Sequence, residues 1–383
     1  MTVQPFTITV AQATLDDLRK RLVGTRWPDE VAGTGWDYGT NLGYLKELVG
    51  YWQRDFDWRA QEAQLNQFAQ FKTEIDGIGI HFIHKRGQGS NPLPIVLTHG
   101  WPDSFYRMYK VIPLLADPAR YGGDVADAFD VIVPSVPGYG FSDRPRTRGM
   151  TTKRTADLWA RLMTDALGYT RFGAAGGDLG SEVTLHLAHN HPGLLAGIHL
   201  TDVSYPMAPP EGAEPSEDAT RYLHALHQWF AQEGAYMMIQ STRPQTLVYG
   251  LTDSPVGLAA WIVEKFRAWG DCGGDVERRF SKDELLTNIM IYWVTETITS
   301  SARMYYENMH APERLWPAPR IDVPVAVAHF NDLLPPRAWV EQAMNVQRWT
   351  EMPRGGHFAA LEEPELFVED IRAFFRPLRA SAA

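Results

Sequence analysis

The chain is nearly without cysteine: Cys272 is the single one among 383 residues, which excludes an intrachain disulfide and any metal cage built on cysteines. Positive charge is also short, with 36 Lys and Arg against 46 Asp and Glu for a formal charge of −10. Such a surface repels phosphates, so no nucleic-acid partner is expected. No segment approaches the roughly 18 uninterrupted apolar residues that a bilayer span requires. Met1–Phe6 lacks the basic start and apolar centre of a signal peptide. The expectation is a soluble, unanchored protein of the reducing cytoplasm with no membrane partner. The sequence allows a homodimer without specifying one.

What is present is an ordinary globular balance, 44% hydrophobic and 21% charged residues. The length suits one core with insertions or two closely packed domains. Up to about residue 90 the pattern is first helical. Thr14-Leu15-Asp16-Asp17 reads as a capped helix start with Leu15, Leu18 and Leu22 on one face. Leu42, Leu45, Leu48, Val49 and Trp52 predict a second helix over 41–56. Trp27, Trp36, Trp52 and Trp58 add apolar surface that this arm must bury against the catalytic domain.

From Phe71 the period becomes two, and Asp76-Gly77 between Phe71–Ile75 and Ile78–His84 predicts a hairpin. Short apolar runs then alternate with helical ones around Ile95–Leu97, Val131–Val133, Thr170–Ala175, Gly197–Leu200, Val325–Val327 and Val346–Trp349. That alternation predicts an α/β fold, a mostly parallel sheet covered by helices. The expected division is 1–90 for the N-terminal arm and leading hairpin, 91–203 for the first part of the core, 204–320 for an inserted helical lid, and 321–383 for the second part. Residues 211–217, rich in Glu, Pro and Gly, read as a loop.

Gly176-Gly177-Asp178-Leu179-Gly180-Ser181, between a strand-like run and a helical one, has the outline of a turn that holds one side chain exposed at the carboxyl edge of a sheet. Hydrolases with this turn usually place a serine there. An aspartate instead attacks saturated carbon and forms an ester, which points to an epoxide or alkyl halide. By itself the Asp also suits the N-cap of the following helix. Two further residues complete a set in the chain order of the α/β-hydrolases, nucleophile, acid, histidine. Asp332 follows the apolar run 323–330, and His357 lies in the glycine-flanked loop Arg354-Gly355-Gly356-His357-Phe358. Leu97-Thr98-His99-Gly100-Trp101-Pro102 follows another strand, so the amides of Trp101 and Leu179 are the expected oxyanion donors. Ring opening also needs an acid near the leaving oxygen, for which Tyr222, Tyr236, Tyr249, Tyr292, Tyr305 and Tyr306 are all candidates. His186, His189 and His191 have helical metal spacing but no accompanying carboxylate motif, and neither a metal nor a cofactor is expected.

With these residues in hand, the chain resembles the microsomal-type epoxide hydrolases of the α/β-hydrolase superfamily over nearly its whole length. The resemblance rests on the Trp-rich arm, His99-Gly100-Trp101-Pro102, Val136-Pro137-Gly138-Tyr139-Gly140-Phe141-Ser142, Gly177-Asp178, Asp253-Ser254-Pro255-Val256-Gly257-Leu258, and the stretch from Arg354 through His357 to Pro364. It implies that an epoxide and water are converted to a vicinal diol through an ester on Asp178. In that scheme Asp332 orients His357, and two lid tyrosines hold the epoxide oxygen. Matching Glu233-Gly234-Ala235-Tyr236-Met237 and Ser301-Ala302-Arg303-Met304-Tyr305-Tyr306 selects Tyr236 and Tyr305, with Tyr306 adjacent. Related soluble bacterial proteins imply a setting in secondary metabolism such as antibiotic biosynthesis, and the aromatic content suggests an apolar, aryl-substituted substrate.

Three positions depart from the family pattern. The chain starts at the arm where vertebrate members carry a membrane anchor, Leu179 stands where they place Trp, and Asp332 stands where they often place Glu. A haloalkane dehalogenase would share Asp178 and His357 but needs halide-binding N–H donors, and Leu179 removes the usual indole. A catalytically silent interaction protein on the same scaffold is the alternative from another class.

Overall fold

Apolar runs too short for helices and too uniform for one-faced strands become the interior of a sheet. In the computed structural model, which describes residues 1–203, 216–311 and 319–379, the strands are β1 (Gln4–Phe6), β2 (Gln70–Ile75), β3 (Ile78–Lys85), β4 (Leu93–Thr98), β5 (Phe129–Pro134), β6 (Phe172–Gly176), β7 (Leu195–Leu200), β8 (Ile321–His329) and β9 (Met344–Glu351). They form one sheet in the order β1-β2-β3-β5-β4-β6-β7-β8-β9. The pairs from β1 to β5 are antiparallel, and those from β5 through β4 to β9 are parallel. Strands β5, β6 and β7 are buried at every residue, as strands covered by helices on both faces must be.

The sheet is led by the expected hairpin. Asp76 and Gly77 have φ of 52° and 76°, which gives the two-residue turn whose twist matches its strands. Strand β1 was not expected: it has three residues including Pro5, and it lies at the sheet edge where a missing N–H is tolerated. Because β4, β6, β8 and β9 run parallel, the loops that follow them gather at one edge of the sheet, where ligands bind in such folds.

The arm differs in detail from its sequence reading. Its first helix spans Gln12–Val23, with Ala11 at the N-cap and no side-chain cap, so Thr14 lies inside it; the second spans Leu42–Arg54, capped by Asn41. A third helix, Trp58–Leu65, was not foreseen. The arm packs on the helices Pro255–Trp269 and Lys282–Thr295, inserted between β7 and β8, besides contributing β1 to the sheet. Arg21 ion-pairs with Asp253 at 2.7 Å, Thr40 donates to Ala260 O, Tyr51 donates to Asp283 and the Arg267 guanidinium sits 4.5 Å from the Trp36 ring centre. The arm thus lies against the rest of the chain through the inserted helices as well as through β1.

Most of the loop expected at 211–217 lies outside the described residues; Ser216 caps the helix Glu217–Gln232. Among the described residues no single helix is long and apolar enough to cross a membrane.

Candidate active site

The turn after β6 forces Asp178 to φ 57° and ψ −132°, a conformation that non-glycine residues rarely hold, and the helix Leu179–Asn190 begins immediately behind it. Asp178 therefore does occupy an N-cap position, yet its carboxylate is turned toward the loop after β4. Its Oδ1 accepts from the amides of Trp101 at 2.8 Å and Leu179 at 2.7 Å. Only glycine permits this approach at position 100: a Cβ there would lie 2.4 Å from both Cβ and Oδ1 of Asp178. His99 fixes the same loop, since its Nε2 receives the Val136 amide proton at 3.1 Å, which puts the ring proton on Nδ1 facing Gly100 O at 3.0 Å.

The loops after β8 and β9 bring in the other two residues of the set. His357 Nδ1 lies 2.7 Å from Asp332 Oδ2, and His357 Nε2 lies 3.5 Å from Asp178 Oδ2. The second distance is an ion-pair contact rather than a hydrogen bond, and Nε2 is buried with no hydrogen-bond partner. Burial works against charge on His357, but Asp332 and Asp178 outweigh it and hold its pKa well above the ordinary imidazole value. Burial likewise raises Asp332, and the charge and hydrogen bond of His357 more than reverse this, leaving the carboxyl below its usual range.

Above Asp178 the inserted helices place an aromatic cluster. Tyr236, on the helix Ala235–Thr242, stacks on Trp101 with ring centres 5.0 Å apart and planes 4° from parallel. Tyr305, on the helix Ile298–His310, meets Trp101 edge-on at 5.9 Å and Tyr236 at 5.9 Å. Trp269 closes the group, 5.1 Å from Tyr236 and 5.2 Å from His357. Burial and then the charge of Asp178 raise the Tyr236 hydroxyl well above the normal phenol range against an opposing hydrogen bond with Tyr305, and burial, then Tyr236 and Asp178, raise that of Tyr305 likewise. Both remain protonated donors at any working pH. The other candidates face elsewhere. Tyr292 donates to Asp103 O, Tyr222 packs on Trp339, Tyr249 is exposed, and Tyr306 stacks on His310.

Several participants escaped the sequence reading. The buried Arg107 donates to Asp103 at 2.7 Å and to His357 O, and its charge is supported by Asp178 and Asp202. Asp202, two residues beyond β7, accepts the Asp178 amide. Its position at a strand end was the same signal that identified Asp332. Glu362 accepts the amides of Asp271, Gly356 and Phe358, which pins the His357 loop. Lys265 lies 5.2 Å from the Tyr236 ring centre while paired with Glu233 at 3.0 Å. Asp202, Asp332 and His357 each bring a ligand atom within 4.8 Å of the others. Both carboxylates are already engaged, Asp332 with His357 Nδ1 and Asp202 with the Asp178 amide, and the cationic Arg107 lies beside Asp202, so a cation there would compete with contacts that orient the site.

Two family models match parts of the chain. Residues 3–108 match the family described as epoxide hydrolase N terminus, and residues 94–260 match the alpha/beta hydrolase fold. A protein of Stigmatella aurantiaca assigned by name as an epoxide hydrolase is 46% identical, over 99% of this chain and 86% of that one. Epoxide hydrolase 1 of Sus scrofa is 38% identical, over 97% of this chain and 88% of its own. The structure of Aspergillus niger epoxide hydrolase superposes with a TM-score of 0.87 at 31% identity, covering 99% of this chain and 97% of that one.

Proposed function

The chain belongs to the epoxide hydrolases of α/β-hydrolase fold, and from that premise we propose that it opens its epoxide through a covalent ester on Asp178. Epoxide hydrolysis displaces both the haloalkane dehalogenase and the silent-scaffold readings. The observation that carries the covalent route is the unequal setting of the two carboxylate oxygens of Asp178. Oδ1 rests on two amides, whereas Oδ2 faces His357.

In the first step Oδ2 attacks a ring carbon, and the C–O bond of the epoxide breaks. Tyr236 and Tyr305 hydrogen-bond the departing oxygen, and one of them delivers its proton, later regained from solvent. Their high pKa values make them donors that stabilise the developing alkoxide without ionising beforehand. Alkylation also removes the negative charge of Asp178, one of the two charges that keep His357 protonated. The imidazole then loses its proton more readily and can act as base.

In the second step His357 Nε2 takes a proton from water, which attacks the ester carbonyl carbon. Negative charge collects on Oδ1, already held by Trp101 and Leu179, and collapse expels the diol oxygen, which recovers the proton from His357. Asp332 holds the ring in the required tautomer throughout.

The rings of Trp101, Tyr236, Trp269 and Tyr305 support an apolar, aryl-bearing epoxide. The same reading treats 204–320 as a lid carrying the two tyrosines, 91–203 and 321–383 as the two parts of the core, and 1–90 as the arm that braces the lid. Intact-protein mass spectrometry of His357→Gln mixed with styrene oxide is the test. Addition of one substrate mass to Asp178 is expected, because ester formation needs no base; an unmodified protein that still binds the epoxide contradicts the covalent route.

A further inference from the structure

On the flank of the helix Ile298–His310 opposite to the one presenting Tyr305 lies a separate cleft of about 810 Å³, between that helix, the segment 144–148 and the residues that follow Thr242. Thr299, Arg303, Tyr306 and Glu307 line it at helical spacing. On a chain of formal charge −10, this cleft gathers Arg144, Arg146, Arg148, Arg243 and Arg303 against Glu296 and Glu307 alone.

The two acids do not neutralise it. Glu296 is taken by Arg144 at 2.9 Å, and Glu307 accepts the Gly149 amide at 2.8 Å. Among the described residues Arg146, Arg148 and Arg243 make no ion pair. Arg303 donates to Pro145 O at 3.0 Å and is half-buried. Burial, Arg144 and Arg146 all disfavour its charge, with Glu307 opposing them. Arg303 is half-buried while Arg144, Arg146, Arg148 and Arg243 are exposed around the cleft, so an oxyanion entering it would meet N–H donors in the fork geometry that phosphate and carboxylate accept. The volume exceeds the needs of a simple ion and suits an organic molecule with one anionic group.

We propose that this cleft is a binding site for an oxyanion-bearing small molecule, a phosphate or carboxylate compound, distinct from the epoxide site. Arg303 lies at its back and Arg146, Arg148 and Arg243 at its rim.

The probe is inorganic pyrophosphate, titrated calorimetrically at constant ionic strength into the parent protein, Arg303→Gln, and the Arg146→Gln/Arg148→Gln double variant. Saturable binding at a single site is expected in the parent, weakened about tenfold or more in each variant, while epoxide turnover without pyrophosphate is retained. Binding of equal strength in all three would mark an adventitious ion only and overturn the proposal, as would absence of saturable heat in the parent. Should Arg303→Gln not fold, phenylglyoxal modification of the parent decides instead. Pyrophosphate must protect the peptide carrying Arg303 more than that carrying the exposed Arg59, and equal modification rules the site out.

Discussion

His357 Nε2 stands 3.5 Å from Asp178 Oδ2, so the base that must later deprotonate water begins as the ion-pair partner of the carboxylate we assign to attack. The two roles follow in time because the first step removes the charge that binds them.

That relationship makes a pH prediction. Asp178→Asn removes one of the carboxylates holding His357 high, so the imidazole pKa of the variant, followed by proton NMR, should fall relative to the parent. The ester form should behave like the variant. Below its lowered imidazole pKa the base is protonated and ester hydrolysis stalls, while ring opening, which needs no neutral histidine, continues. The steady-state share of alkylated enzyme should therefore rise as pH falls. A share that grows toward high pH would reverse the assigned order of events.

The tyrosines should act on ring opening only. Tyr236→Phe and Tyr305→Phe are each expected to slow alkylation by about one to three powers of ten, the scale for losing a positioned acid or oxyanion donor. Ester hydrolysis should be largely spared, because the alkoxide charge they meet exists only in the first transition state. Tyr306→Phe should stay near the parent rate, since that ring stacks on His310 outside the Trp101 cluster. Rapid-mixing fluorescence from Trp101 and Trp269 provides the measurement, and parent-like alkylation in both single variants would exclude the pair.

Arg107→Met should destabilise the protein by about 3–5 kcal/mol, the usual cost of breaking a buried ion pair from one side. Asp103 would keep a buried carboxylate without its 2.7 Å partner, beside the carboxylates of Asp178 and Asp202. A urea midpoint within error of the parent would show that Arg107 is not the counter-charge of this cluster.

Much of the site was legible because each member stands where a short apolar run ends. Asp178, Asp332 and the loop of His357 lie just beyond strand-like segments, and glycines mark the close approaches at 100 and 176–177. Arg107 gave no such signal. It sits in the 3-10 turn Phe105–Met108, and its importance comes from Asp178 and Asp202, on two other segments that only the fold brings near, as well as from Asp103 four residues before it. Glu362 and Lys265 were invisible for the same reason. The periodicity of the arm showed which faces are apolar without saying which helices they meet. Thr14 looked like a cap because its side chain often serves as one, whereas the helix starts two residues earlier on an uncapped backbone.

The most direct test of the covalent route is the source of oxygen in a single turnover, with enzyme in excess over epoxide in water enriched in heavy oxygen. If water attacks the ester carbonyl carbon, the first diol carries an oxygen from Asp178 and is unlabelled, and the label appears in the peptide containing Asp178. A first diol that carries the solvent label, with the Asp178 peptide unlabelled, would mean that water attacks the epoxide directly and that Asp178 is no nucleophile.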